Sequence, residues 1–319
     1  MAVFTTLHPS DIEALLQAYA VGSLHSFQGI GEGTENSNYF VYCKDGQTPS
    51  STQKYVLTLL EELSFEQAAF HVNLLDTLAE NAIPVPRILR DRQGQAVQNC
   101  YGKPTLLSTC LEGLHVKQPS LTQCAVIGEL LADLHMVAGN ITEDYQGTRH
   151  NGWLEDCVYQ ASAFLPESEK TCAASVLQEF LSLQLSELPH GIIHGDLFRD
   201  NAFFDGDTLI GIIDFYSAGL GFLLYDLAVV VNDWCRTEDN RIDQPRYHAL
   251  LNAYTAKRPW TENETLCWSL MLQMAAMRFW LSRLLGQQKA EQGAFDDKNP
   301  DDFKQLFYWH RKLPLAHGA

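Results

Sequence analysis

Between residues 190 and 214 the chain reads HGIIHGDLFRDNAFFDGDTLIGIID. The apolar run Gly191-Ile192-Ile193 ends in a polar loop, and Asp205-Gly206-Asp207 then divides a second apolar stretch into two strands, the later one at 208–213. Aspartate and glycine between alternating apolar residues predict a tight hairpin. A hairpin returns the chain to where it began. Asp196 and Asn201 precede its first strand and Asp214 follows its second, so three oxygen-bearing side chains are expected to converge at one end. Whatever else the chain does, its fold has to keep that loop and that hairpin together.

Taken singly, an aspartate or asparagine after a strand reads as a turn residue or a helix cap. Taken with the hairpin, the set matches what phosphoryl transfer needs. That chemistry is mostly positioning and charge neutralisation, with Mg²⁺ bridging phosphate oxygens and one carboxylate orienting the attacking hydroxyl. Mg²⁺ prefers oxygen ligands and keeps several waters, so one carboxylate and one carboxamide suffice from the protein. Asp214 and Asn201 are the expected metal ligands, and Asp196 the expected catalytic base.

Charge narrows the partners. Of 319 residues, 22 are Lys or Arg and 39 Asp or Glu, a formal charge of −17. With the basic residues scattered, this field repels polyanions, which argues against nucleic acid. The eight cysteines form no C-x-x-C pair and no zinc-type spacing, so reduced thiols are expected. The start MAVFTTLHPSDIEALL has no basic leader or long apolar core, and no segment reaches ~18 uninterrupted apolar residues, so neither export nor a membrane is expected and the protein reads as cytoplasmic.

Periodicity divides the chain. Ser10 and Glu13 have the spacing of a capping box opening a helix to about Tyr19. Strands are expected near 24–30, 38–43 and 54–60, then a helix at 64–80, then strands near 86–90 and 104–110 completing a five-stranded sheet. LEGLHVKQPS, 111–120, reads as a linker. Beyond it, Ile127, Leu130, Leu131 and Leu134 form a helical apolar stripe, and MLQMAAMRFWLSRLL at 271–285 has the density of a buried helix. The expected class is α+β, a sheet-rich part at 1–110 and a larger, mainly helical part at 111–319.

H-x-D-x-x-x-x-N, a short hairpin and Ile-Asp-Phe together resemble the catalytic and metal-binding loops of the protein-kinase-like superfamily. The HGD and IDF forms are closer to its aminoglycoside phosphotransferase and choline kinase branch. The resemblance implies a two-lobed fold with ATP in the cleft and adenine against the backbone of Thr109, Cys110 and Leu111. It implies that His194 braces the loop, with Asp226 capping a helix and reaching back to it. Arg199 either approaches the γ-phosphate or lies at the surface. Gly29, Gly31 and Gly33 fall on a turn between strands as a phosphate-covering loop would, but spaced G-x-G-x-G, with Asn36 and Asn38 following. Thr58 stands where the kinase pattern puts a phosphate-binding lysine; Lys54 and Lys103 are the candidate replacements, and a nucleotide-binding protein without turnover is the rival reading.

For the acceptor, an amino-acid alcohol needs a carboxylate clamp and an ammonium acceptor beside Asp196, and arginine suits the first because its fork matches a carboxylate. VNDWCR and MRFWLSR supply Asp233, Trp234 and Arg278. Arg278 either clamps the carboxylate while Asp233 takes the ammonium, or forms an internal ion pair with Asp233 or Asp226. ENSNYF, YVLTLLEEL, IPVPRIL, YGKPTLL, HGDLFRDN, IDFYSAG, YDLAVVVNDWC and MRFWLSRL, in this order, resemble the homoserine kinases of the aminoglycoside phosphotransferase branch. That resemblance implies ATP, Mg²⁺ and L-homoserine as ligands, on the path to threonine. Choline, ethanolamine and aminoglycoside kinases are the neighbouring alternatives.

Overall fold

The computed structural model describes residues 3–31, 36–44, 52–139, 151–183, 187–290 and 298–312. The chain forms two compact units, Met1–Glu112 and Gly113–Ala319.

The first unit is a five-stranded antiparallel sheet with two helices. Its elements are α1 (Pro9–Leu16), β1 (Ser23–Gly29), β2 (Ser37–Lys44), β3 (Thr52–Leu59), α2 (Phe65–Glu80), β4 (Gln98–Cys100) and β5 (Lys103–Thr109), and the strands run in the order β1-β2-β3-β5-β4. The two faces of the sheet differ. Tyr39, Val41 and Cys43 of β2, Tyr55, Leu57 and Leu59 of β3 and Leu107 of β5 join Ile12 and Leu16 of α1 in one buried cluster. Asn38, Phe40, Lys54, Val56, Thr58 and Ser108 alternate with these residues and therefore line the opposite face.

Two expectations need correction. Helix α1 starts at Pro9 rather than after Ser10, because proline at the first helical position has a pre-set φ and no N–H to satisfy. The reciprocal cap is built two residues earlier, with the His8 N–H donating to Asp11 Oδ2 at 2.7 Å. The fifth strand is β4, not 86–90. Tyr101 and Gly102 both adopt positive φ (54° and 79°) and close a tight hairpin from Cys100 to Lys103. With Pro84 and Pro86 stiffening the backbone before it, segment 87–89 adds only a bridge at Ile88 and two backbone hydrogen bonds, Leu89 N–H to Leu107 O and Thr109 N–H to Arg87 O.

The second unit contains α3 (Leu121–Ala138), α4 (Asn151–Ala161), α5 (Glu167–Ser182), β6 (His190–Ile193), β7 (Ala202–Asp205), β8 (Thr208–Ile212), β9 (Gly219–Phe222), α6 (Leu223–Trp234), α7 (Gln244–Lys257), α8 (Glu262–Ala290) and α9 (Pro300–Lys312). Strand β6 pairs with β9, and β7 with β8. The apolar stripe of α3 is buried as its spacing predicts. By length and composition α3 could cross a membrane, but half of it is buried inside the unit. It packs on α7 so closely that a Cβ at Gly128 would lie 2.3 Å from the Leu250 carbonyl oxygen. In α6 every side chain but Tyr225 is buried, and all eight cysteines are free thiols.

The C-terminal helix is tied in through a histidine. His310 Nε2 lies 2.8 Å from Asn232 Oδ1 on α6, whose Nδ2 donates to the Leu272 carbonyl of α8 at 2.9 Å. Burial drives His310 down to about 3 and His71 of α2 to about 4. Both are neutral in the folded protein and free to charge near pH 6.5 once unfolded. The unfolded chain therefore binds more protons as pH falls, and the stability is full above about 6.5 and lost progressively below it, by ~1.4 kcal/mol per pH unit per histidine. Urea unfolding from pH 7 to 5 should show this decline, and His310→Gln should reduce its slope; the same slope in the variant would contradict the assignment.

Candidate active site

Three elements position the polar loop: β6 delivers it, the β7–β8 hairpin follows it, and α6 lies beneath. Asn201 and Asp214 meet because the hairpin closes on them: Ala202 pairs with Ile212, and the Ile213 N–H donates to the Asn201 carbonyl at 2.9 Å. Asn201 is nearly buried and its Nδ2 donates to the Asp196 carbonyl at 2.8 Å, which fixes the carboxamide orientation. Asp214 is exposed and adopts a left-handed conformation (φ 68°, ψ 56°), which costs an L-residue ~1–2 kcal/mol. Strain of that kind is retained where the direction of a side chain matters.

Beneath the loop, Asp226 has no exposure. Its Oδ2 accepts from the His194 N–H (2.9 Å) and from His135 Nε2 (3.1 Å), and its Oδ1 accepts from the Gly195 N–H (2.8 Å). Burial alone would raise this carboxyl, but the hydrogen bond and charge of His135, together with the Gly195 N–H, hold it below the usual carboxylate range. His135 continues to the Tyr254 hydroxyl at 2.8 Å. Gly195 has φ +76°, and a Cβ there would lie 3.1 Å from the Ser217 carbonyl oxygen, so only glycine fits without strain.

His194 ties the Asp196 and Asp214 ends of the site together. The Asp196 N–H donates to its Nδ1 at 3.3 Å, which leaves the proton on Nε2, 3.0 Å from the Ile213 carbonyl oxygen. Burial, opposed by the charges of Asp226 and Asp196, keeps the ring below its ordinary pKa and so neutral. One imidazole thus spans from the backbone of Asp196 to the residue before Asp214.

Asp196 itself is 23% exposed. Its Oδ1 is buried without a hydrogen-bond partner and lies 3.7 Å from Arg278 Nη1. Arg278 is 3% exposed, with its guanidinium 3.8 Å from the Phe279 ring centroid. Its ion pair is therefore with Asp196, not with Asp233 or Asp226 as its sequence neighbourhood suggests.

Asp233 and Trp234 support the loop from below rather than facing an acceptor. Asp233 is buried and accepts from the Arg199 backbone N–H (2.8 Å), Nε (3.0 Å) and Nη2 (3.2 Å). Burial raises this carboxyl, but the Arg199 charge and hydrogen bonds outweigh it and hold it low. Arg199 Nη1 donates to the Lys117 carbonyl at 2.7 Å, so this guanidinium is neither free at the surface nor aimed at a phosphate. The Trp234 indole, with no exposure, donates to the Leu197 carbonyl at 3.1 Å.

In the sheet unit, Thr58 Oγ1 donates to Asn38 Oδ1 at 2.7 Å, and Asn36 Oδ1 accepts from the Glu61 N–H at 3.2 Å. Lys103 alternates with Pro104 and so shares the α1-covered, outer face with Leu107, bound to Glu61 and Thr5, and is removed as a replacement for the missing lysine. Lys54 is on the opposite face with Thr58, but its ammonium stands over the Phe40 ring, 3.6 Å from the centroid, and beside Cys110. Cys110 is raised by burial against the opposing lysine charge. The Thr109 N–H is engaged by Arg87, so a base at Thr109 to Leu111 must be read by other groups of that segment. Gly31 is described; Gly33 lies outside the described residues.

Among the described residues no three His, Cys, Asp or Glu side chains gather as in an all-protein metal cage. The donor set of Asn201 and Asp214, two hard oxygens on adjoining strand ends, fits Mg²⁺, which completes its shell with waters and phosphates. His135 and Tyr254 were not legible as part of the site. The available signal was a histidine inside the apolar run of α3, which has to find a polar partner.

Residues 26–260 match the model of the phosphotransferase enzyme family, APH, and the chain belongs to that family. Among curated proteins it is 41% identical over 290 residues to the homoserine kinase of Pseudomonas aeruginosa (strain LESB58), covering 90% of each. It is 40% identical over 284 residues to the homoserine kinase of Methylobacillus flagellatus, covering 89% of this chain and 87% of the other. Among solved structures, the amicoumacin kinase hAmiN in complex with AMP-PNP, Ca²⁺ and Ami aligns with a TM-score of 0.70 at 15% identity, over 96% of this chain and 93% of that one. The fold is the two-lobed, protein-kinase-like α+β fold of these phosphotransferases.

The buried carboxylate gives a direct test of the support beneath the loop. Asp226→Asn replaces an acceptor by a group that brings its own donors to two backbone N–H groups, and should cost on the order of 2 kcal/mol. Urea unfolding should show a lowered midpoint; a midpoint equal to wild type would contradict this role.

Proposed function

We propose that this chain is an ATP-dependent kinase that phosphorylates the side-chain hydroxyl of L-homoserine, giving O-phospho-L-homoserine and ADP on the route to threonine. The observation that carries this reading is the identity of about two residues in five, over nearly the whole chain, with proteins named homoserine kinase.

Asp196 is the catalytic base. The acceptor oxygen forms a bond to the γ-phosphorus, the bond from phosphorus to the β,γ-bridging oxygen breaks, and the hydroxyl proton passes to Asp196 as ADP leaves. Its Oδ1, with no hydrogen-bond partner among the described residues, keeps a lone pair to take that proton. Arg278, 3.7 Å from Asp196 Oδ1, turns toward the acceptor's carboxylate. Asn201 and Asp214 hold Mg²⁺, which neutralises phosphate charge when bound. His194, fixed neutral, donates to the Ile213 carbonyl and holds the loop; it does not exchange the reacting proton.

The unit Met1–Glu112 carries the nucleotide contacts, with Gly31 over the phosphates, Thr109 to Leu111 along adenine, and Thr58, Asn36 and Asn38 on the phosphate or acceptor side. Gly113–Ala319 carries the loop, metal and acceptor residues. The chain works in the cytoplasm.

Two variants separate the roles. Asp196→Asn should lower kcat by on the order of 10²–10⁴-fold with ATP binding kept, measured by coupled ADP release and calorimetry. Wild-type turnover would remove Asp196 as base. Asp214→Asn should weaken ATP binding in the presence of Mg²⁺ by roughly tenfold or more; wild-type calorimetric affinity would remove it as a ligand.

A further inference from the structure

Beyond Arg278, two further guanidinium groups approach the same loop through a set of stacked rings. Phe198, two residues after Asp196, lies with its centroid 4.5 Å from Phe279 and 5.7 Å from Phe303, nearly parallel to the latter. Arg278 covers Phe279 at 3.8 Å, while Arg283 and Arg236 cover Phe303 at 4.5 and 5.2 Å. Phe279 and Arg283 are i, i+4 neighbours on α8, so one helical row carries a ring and a cation to Phe303.

These two cations are poorly neutralised for their burial. The Arg283 side chain is 11% exposed and that of Arg236 is 14% exposed. They share Asp302, 36% exposed, whose Oδ2 is 3.8 Å from Arg283 Nη1 and 3.7 Å from Arg236 Nη1, beyond hydrogen-bond length. Arg236 Nη1 is held by Asn240 Oδ1 at 2.6 Å and its Nη2 stands 4.0 Å from Asp233, but its Nε is buried with no partner. Arg283 Nη1 donates to the Asn299 carbonyl at 3.2 Å. Burial and the Arg236 charge together lower the Arg283 pKa, while the charges of Asp233, Asp302 and Asp196 act against them. In a chain of net charge −17, two like charges held together next to the catalytic loop call for an anion.

Resting on the kinase reading above, we propose that Arg283, backed by Arg236, is a specificity-determining residue that grips the carboxylate of the amino-acid acceptor, forming with Arg278 a two-sided clamp. Asp302 shows that a carboxylate oxygen is admitted between the two guanidinium groups, and its partial exposure lets it yield to a substrate carboxylate. The clamp selects amino-acid alcohols over amino alcohols without a carboxylate, because only an acceptor that brings its own anion can take the place of Asp302 between the paired cations.

Steady-state kinetics on Arg283→Met and Arg283→Lys, with L-homoserine varied at saturating ATP, test this. Arg283→Met should raise KM for L-homoserine by tens- to a hundredfold, the range for one charge-assisted contact, with kcat within a few-fold of wild type. Arg283→Lys keeps the charge but loses the fork, and should fall between; it also decides the matter if the methionine variant does not fold. Wild-type KM in either variant, or a loss of kcat at unchanged KM, overturns the clamp and leaves the kinase reading standing. A wild-type protein that turns over another alcohol but not L-homoserine overturns both.

Discussion

Asp226 is a charged group with no water around it, and it survives there because two backbone N–H groups and one imidazole donate to it. Those backbone groups belong to His194 and Gly195, the residues immediately before Asp196. Moving the loop would strip a buried carboxylate of its donors, so the loop stays where it is. From that anchor the other placements follow. His194 reaches the Ile213 carbonyl, Asn201 reaches the Asp196 carbonyl, and the hairpin returns Asp214 to the same end.

Asp233 repeats the device seven residues, about two turns, along α6, receiving the Arg199 backbone N–H and guanidinium, and Trp234 beside it holds the Leu197 carbonyl. One face of a single buried helix thus holds the loop at both ends. Above it, Asp196 is partly exposed and Asp214 exposed, and these are the two carboxylates assigned to ligands. The division is physical: carboxylates that organise the loop are buried and saturated, while those assigned to chemistry keep unused oxygens or open access.

Much of this was legible in the sequence because it is local. Asp205-Gly206-Asp207 between apolar runs could only be a tight turn, and that turn alone brings Asn201 to Asp214. The strands β1 to β3 and helix α2 follow from period-two and period-3.6 patterning. What was not legible depends on pairings distant in sequence. Asp233 and Trp234 look available in VNDWC, and only the approach of Arg199 and Leu197 from 34 and 37 residues away commits them to support. Arg278 near Asp196, Lys103 on the outer face, and β4 displacing 86–90 have the same origin. His135 and Tyr254 lie 119 residues apart, and neither announces the other.

The identity of the acceptor alcohol is the central question for this protein. A coupled ADP-release assay with Mg²⁺-ATP, comparing L-homoserine, L-serine, choline, ethanolamine and kanamycin, with products identified by ³¹P NMR, tests it most directly. Turnover concentrated on L-homoserine, with O-phosphohomoserine formed, is the predicted result. Preferred turnover of an alcohol lacking the carboxylate, or no ADP release with any of them, would contradict it.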